Sequence, residues 1–238
     1  MVRYSLIIPA HNEAEFLPRL FESIEAARAR FDQDIQVIVA DNASTDGTAR
    51  LAKDAGYQVV SVEKRAIAAA RNGGAREATG DFLCFVDADS RLHPDTFAAV
   101  EKAMRHGAWV GGATGVVFDR WSMGIASTYV LFLPFVWLTR FDTGVVVYRA
   151  DAFWAVGGYP EHLLYAEDVA AWVRIRGYGK KHGQRIQRIK GARTITSTRK
   201  FDRYGDWHYF PLIFKLLWRL IARRDTHHIA KDYWYRRD

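Results

Sequence analysis

A chain of 238 residues with 49% hydrophobic and 14% aromatic side chains, and only 6 prolines, holds too much apolar material to stay disordered and enough length to bury a core without staples. Its single cysteine, Cys84, excludes a disulfide framework and a cysteine zinc cluster and fits a reducing compartment. The formal charge of +7 hides an asymmetry: residues 1–168 are net −6, with 16 basic and 22 acidic side chains, whereas residues 169–238 are net +13, with 18 basic and 5 acidic.

The start, MVRYSLIIPAHNE, turns polar after a few apolar residues, which does not read as a signal peptide. Tyr4–Pro9 reads as a buried strand, short, apolar and ended by proline. A helix is predicted over Glu13–Arg30, where Leu17, Leu20, Phe21 and Ile24 recur at spacings of three and four. Ile35–Ala40 is a second strand; Asp46–Ala55 is a helix with good N-cap chemistry before it and Gly56 behind it. Tyr57–Val62 is a third strand, Ala66–Ala78 an alanine-rich helix, Phe82–Val86 a fourth strand and Pro94–Arg105 the helix after it. Strands separated by helices mean βαβ units and a mostly parallel sheet covered on both faces.

The second half is less regular. Ala108–Phe118 is extended, and Trp121–Thr139 carries no charge for 19 residues, close to the ~20 that span a bilayer. Gly144–Tyr148 is a strand, Glu167–Arg176 a helix, Thr194–Thr198 a short strand and Tyr209–Ala222 an apolar helix with Lys215 and Arg219 on it.

In an open parallel sheet, ligands sit beyond the carboxyl ends of the strands. Three such ends are polar here: Pro9 to Glu13, Asp41-Asn42, and Asp87-Ala88-Asp89. Two carboxylates one residue apart on a loop leaving a buried strand can hold Mg²⁺ or Mn²⁺ with the phosphates it carries, or merely form a turn. Glu167-Asp168, at a helix start, can supply a general base or simply favour the helix N-terminus. A P-loop, a dinucleotide fingerprint after a strand, a GxSxG elbow and zinc-type histidine spacing are all missing from the sequence.

The segments YSLIIPAHNEAEFLPRLFESI, VIVADNASTDGTARLA, AAARNGGAREATGDFLCFVDADS and GVVVYRADAFWAVGGYPEHLLYAEDVAAWVRIRGYG occur in the order and spacing of family 2 glycosyltransferases. The chain resembles that family over residues 3–200, and ITSTRKFDRYGDWHYF is similar to the C-terminal part of its small single-domain bacterial members. The resemblance implies a GT-A fold, the α/β fold of nucleotide-diphospho-sugar transferases, with a mostly parallel central sheet flanked by helices. It implies that Pro9, Ala10, His11 and Glu13 line the nucleotide base, that Asp41 reads the base, and that Arg71 and Asn72 lie where a helix contacts the nucleotide. It further implies that Asp87, Ala88 and Asp89 form the DxD motif, with Asp89 on a Mn²⁺ or Mg²⁺ ion and Asp87 nearer the ribose, and that Asp168 is the catalytic base with Glu167 its neighbour.

Two positions depart from the pattern. Asp41-Asn42-Ala43-Ser44 stands where the family often has two aspartates followed by Gly-Ser. A histidine that many members offer to the metal has no counterpart between Arg185 and Asp206, where Arg199 and Lys200 are expected to bind the diphosphate by charge instead.

The expected activity is metal-dependent, inverting transfer of a sugar from a UDP- or GDP-sugar to an acceptor hydroxyl. A nucleotidyltransferase on a similar α/β core is the enzymatic alternative, but it leaves Glu167-Asp168 unexplained. A basic nucleic-acid-binding protein is the other, but no recognised motif surrounds the basic residues, so nucleic acid is not an expected partner. The expected organisation is a GT-A domain over residues 1–200 and a basic, aromatic, helical appendage over 201–238. Because Asp87 and Asp168 must meet, Trp121–Thr139 is expected to be interfacial or re-entrant and not a span; it could meet a lipid-linked acceptor, a sugar or a second subunit of a homodimer. With Tyr209–Ala222 and its basic end, this leads to a cytoplasmic location with peripheral contact at the inner face of the cell membrane.

Overall fold

The computed structural model describes residues 3–105, 108–139, 141–163 and 166–213. In chain order the elements are β1 (Tyr4–Ala10), α1 (Leu17–Arg28), β2 (Ile35–Asp41), α2 (Thr48–Asp54), β3 (Gln58–Ser61), α3 (Ile67–Arg76), β4 (Phe82–Phe85), α4 (Thr96–Met104), β5 (Trp109–Phe118), α5 (Met123–Thr139), β6 (Val146–Arg149), α6 (Ala150–Ala155), α7 (Glu167–Lys181), β7 (Arg185–Thr196) and α8 (Arg199–Tyr204). The seven strands form one sheet in the order β3-β2-β1-β4-β6-β5-β7. Only β6 runs against its neighbours; the other ladders are parallel. Parallel β1, β2 and β4 therefore end together, which brings the loops after Ala10, Asp41 and Phe85 to one edge.

Alternation along β1 divides the core. Tyr4, Leu6 and Ile8 face α1 and α4 in one buried cluster, while Ile7 faces a second cluster that includes Phe85, Tyr148, Phe153 and Trp172. The paired glycines of α3 have a steric reason: a Cβ at Gly73 would lie 2.5 Å from Val62 Cγ2, and one at Gly74 2.6 Å from Ile7 Cγ2. Only a bare helix face can lie so close to the sheet, and Arg71 on the same helix is buried. Cys84 is buried in β4, where burial pushes its thiol up to about 12, so it is a core residue and not a nucleophile.

The starts of two elements move furthest from expectation. The first helix starts at Leu17 and not Glu13, because residues 13–16 form a turn in which the Glu13 carbonyl accepts from the Phe16 and Leu17 amides (both 3.0 Å) and Pro18 opens the helix. The last strand runs from Arg185, not Thr194; a register break around Gly191 (φ 97°) splits its alternation. The short helices α6 and α8 were not expected. The Tyr209–Ala222 helix begins at residue 209, and its part beyond residue 213 lies outside the described residues, as does most of the 201–238 appendage. Helix α8 crosses the expected boundary at 200: Phe201 is buried, and Arg120 donates to Asp202 and Asp206 (both 2.7 Å).

Helix α5 is fixed at both ends. A Cβ at Gly124 would fall 2.7 Å from the Asp206 carbonyl, and Trp172 Nε1 donates to the Thr139 carbonyl (3.1 Å). Behind it, a Cβ at Gly144 would meet Thr114 Oγ1 at 2.3 Å, so the chain returns to the sheet in direct contact with β5.

Candidate active site

The strand ends converge as the sheet topology requires. Pro9 and Ala10 close β1 opposite Ala40 and Asp41 of β2. His11 Nδ1 donates to the Asn42 carbonyl (2.6 Å), and Asn12, in the left-handed region at φ 54°, accepts the Thr45 amide on its Oδ1 (2.7 Å). Asp41 is buried, and its Oδ1 has no partner among the described residues, an acceptor suited to the N–H groups of a base.

Asn42 has a different task from a ligand contact. Its Nδ2 donates to the Val62 (2.9 Å) and Lys64 (2.7 Å) carbonyls and ties the end of β2 to the segment after β3. A carboxylate cannot donate, which explains an amide where the family often has an aspartate.

The two carboxylate motifs meet through one cation. Arg71, buried and stacked over the Tyr159 ring (5.2 Å), donates Nη1 to Glu167 (2.8 Å) and Nη2 to Asp87 (3.0 Å). Burial raises the Glu167 carboxyl above its usual range, and Arg71 opposes that shift. Arg71, expected at the nucleotide, lines the cavity described below and also joins β4's loop to the first turn of α7. Asn72 is used similarly: its Oδ1 accepts the Tyr159 amide (2.9 Å) and its Nδ2 donates to the Tyr159 carbonyl (2.8 Å), which points the side chain at the Gly158-Tyr159 turn and away from the cavity described below.

A second cation closes the other side. Arg199 forms a two-pronged pair with Glu13 (2.7 and 2.8 Å), places Nε 2.9 Å from Asp89 Oδ2 and lies over Phe16 (4.9 Å). Burial pushes Asp89 up to about 6 against the pull of Arg199, and burial likewise raises Glu13. Lys200 is pushed down to about 8 by the same loss of water. Ala88 belongs to the core and so pins the loop between its two aspartates, which a Ser90 N–H to Asp87 carbonyl bond (3.1 Å) also tightens. The DxD loop is joined to the end of β7 by paired Arg91–Ile195 backbone bonds (2.8 and 2.9 Å).

Between these groups lies a cavity of about 560 Å³, lined at one end by Arg71, Asp87, Asp89, Glu167, Asp168 and Lys200 and walled elsewhere by α5. At the start of α7, Ala166 is left-handed (φ 56°), and Asp168 Oδ1 accepts the Val169 amide (2.7 Å). Two further residues join the site: Tyr159, the aromatic surface under Arg71, and the buried Asp142, whose Oδ2 accepts from Arg188 (3.0 Å) at the cavity wall. Both stand in glycine-containing loops, Asp142-Thr143-Gly144 and Gly157-Gly158-Tyr159, a composition that lets a loop approach a ligand closely.

The oxygen chemistry of Asp87 and Asp89 fits a hard divalent cation. Among the described residues no group of three or more His, Cys, Asp or Glu side chains is placed to hold a metal ion, so the two aspartates do not form a complete ligand set by themselves.

A family model described as glycosyl transferase family 2 matches residues 5–157. The chain is 37% identical over 108 residues to the uncharacterized glycosyltransferase YfnE of Bacillus subtilis, covering 43% of this chain and 27% of that one. It is 32% identical over 134 residues to the undecaprenyl-phosphate 4-deoxy-4-formamido-L-arabinose transferase of Aeromonas hydrophila, covering 53% and 41%. It thus spans less than half the length of these curated relatives. Its structure is similar to that of S. aureus TarS 1-349 in complex with UDP-GlcNAc, with a TM-score of 0.65 at 20% identity over 83% of this chain and 59% of that one. It is also similar to the mannosyltransferase PcManGT of Pyrobaculum calidifontis in complex with GDP-Man and Mn²⁺, with a TM-score of 0.63 at 21% identity over 89% and 64%. The matched motifs and the shared sheet lead to one conclusion: the chain belongs to glycosyl transferase family 2 and has the GT-A fold.

Proposed function

We propose that the protein transfers a sugar from a nucleotide-diphosphate donor to an acceptor hydroxyl with inversion, Asp168 acting as base. The observation that carries this reading is the Arg71 bridge, which holds Asp87 and Glu167, and with them Asp168, at a single cavity. The UDP-GlcNAc and GDP-Man bound by the structural neighbours support a nucleotide-sugar donor.

Each residue then has a task. The unpartnered Asp41 Oδ1 takes an N–H of the base. Asp87 and Asp89 would hold a divalent cation, which when bound neutralises the departing diphosphate. Arg199 and Lys200 add positive charge at the same place, and Lys200 faces the cavity itself. Asp168 accepts the proton of the acceptor hydroxyl as its oxygen forms the new bond to the anomeric carbon and the diphosphate leaves from the opposite face. Glu167, held by Arg71, fixes the first turn of α7 and thereby the aim of Asp168.

Asp168→Asn tests this. Release of nucleoside diphosphate from a panel of UDP- and GDP-sugars should fall by about 10²–10⁴-fold, the usual contribution of a general base. Stabilisation of the fold by the nucleoside diphosphate with Mn²⁺ should persist, since binding to the native state alone raises the melting temperature. Wild-type release rates in Asp168→Asn would remove the base assignment.

A further inference from the structure

We propose that the acceptor is a membrane amphiphile and that α5 is the surface along which it enters. The inference rests on the transferase reading and adds the class of its acceptor.

Helix α5 has no charged residue in 17 positions, yet it is not a core helix. Trp137 is 84% exposed, Leu138 71% and Val130 61%. A contiguous apolar face of this kind marks a contact with something other than water. Its inner side is a wall of the cavity: Thr128, Tyr129, Phe132, Leu133 and Val136 line the space that also holds Asp87 and Asp168. Phe132 and Leu133 do both, lining the cavity while remaining 41% and 40% exposed. They form a lip at which an apolar outer surface runs without interruption into the reaction chamber. An acceptor that matches this path has a polar head at Asp168 and a hydrocarbon tail over the lip.

The occupant of the outer face is a lipid surface. At about 1.5 Å per residue the helix is about 25 Å long, and no described helix is long and apolar enough to cross a membrane. On the proposed reading the helix rests its apolar outer face on the bilayer without crossing it. Trp121, just before its start, and Trp137, near its end, are both exposed, where indole rings favour the headgroup layer. Protein interfaces carry about one hydrogen bond per 100–200 Å². The exposed positions of α5, apart from Trp137, offer only hydrocarbon or thioether side chains. Charge agrees in sign: residues 169–238 are net +13 in the sequence, complementary to anionic headgroups.

The test uses the full chain and two probes. Octyl β-glucoside and methyl β-glucoside, both below micelle-forming concentration, share a head and differ only in the tail. At roughly fourfold per methylene removed from water, the octyl compound should bind at least about 100-fold more tightly. Leu133→Asp, at the lip, should erase most of that advantage. Vesicles of phosphatidylcholine mixed with phosphatidylglycerol should sediment the protein, and Trp137→Ser with Leu138→Ser should weaken this at least tenfold. Stabilisation by UDP or GDP with Mn²⁺ should be unchanged in every variant. Equal affinity for the two glucosides, no vesicle binding by the wild type, or a dimer that dissolves on Trp137→Ser with Leu138→Ser would each overturn the proposal. If the nucleotide arm also fails, the transferase reading itself fails; if it succeeds while the others fail, only the acceptor class is wrong.

Discussion

Replacing Arg71 with methionine keeps the stem and removes the guanidinium that joins the two carboxylate motifs. The cost follows from where its partners lie. Arg71 and Glu167 are each 9% exposed in their side chains and 2.8 Å apart, so the variant leaves a carboxylate buried without its cation. Removing one partner of a buried pair costs about 3–5 kcal/mol. The second bond, to an Asp87 side chain that is 50% exposed, adds at most about 1 kcal/mol because water screens it. A loss near 4 kcal/mol lowers the melting temperature of a chain this size by roughly 8–16 °C. Glu167→Gln leaves an amide oxygen for Arg71 and should cost only about 1–2 kcal/mol. Arg71→Met with Glu167→Gln should recover about 2 kcal/mol of the expected sum, because the two residues are coupled. Urea and thermal unfolding of the four proteins measure the cycle. pH gives a further signature: burial already raises the Glu167 carboxyl, and without Arg71 it rises further. A raised carboxyl is protonated more readily in the folded state, so the deficit of Arg71→Met should shrink as pH falls and grow as pH rises. A loss below about 1 kcal/mol, or a purely additive cycle, would refute the bridge as a structural link.

Lys200, pushed down to about 8, is an ammonium below that pH and neutral above it. Affinity for a nucleoside diphosphate should therefore fall as pH rises above 8, with a midpoint displaced upward by the bound anion, and Lys200→Arg should flatten the profile; calorimetric titration across pH 7–10 reads it, and an unchanged slope in Lys200→Arg would exclude Lys200. Asn42→Asp replaces a two-carbonyl donor by an acceptor and should destabilise by about 2–3 kcal/mol in urea unfolding, more than Asn42→Ala. Ala43 sits at φ 55°, where an L residue is strained by about 1–2 kcal/mol; Ala43→Gly should gain about 0.5–1 kcal/mol after the entropy of the unfolded glycine is subtracted, seen as a higher melting temperature.

Strands β1, β2 and β4 were legible because each is an apolar run buried on both faces, a signal that needs no partner to be read. Strand β7 was not. Its sequence RIQRIKGARTIT puts charge on the outer positions of an edge strand, and the break at Gly191 shifts Ile189 and Ala192 out of a single alternating register. Helix α8 buries only Phe201, too little for a period to show. At the site, the meeting of Asp87, Asp89, Glu167 and Asp168 at one cavity was expected from the motifs and the family resemblance. The pairings Arg71–Glu167 and Arg199–Glu13 were not: they join residues 96 and 186 positions apart, and nothing local in a sequence records which cation a carboxylate meets after folding. Asn42 and Asn72 show the same limit, since both use their amides on backbone groups of distant loops.

The anchoring of α5 at Gly124 and at Thr139 has a geometric consequence. A helix held at one end can swing over a site; α5 meets Asp206 at its start and Trp172 at its finish, so both ends are held against the body of the fold. The height of its outer face above Asp168 is set by these two contacts. On the proposed reading, an acceptor resting on that face would bring its hydroxyl to Asp168 at one depth, so the helix would favour groups carried at a matching distance.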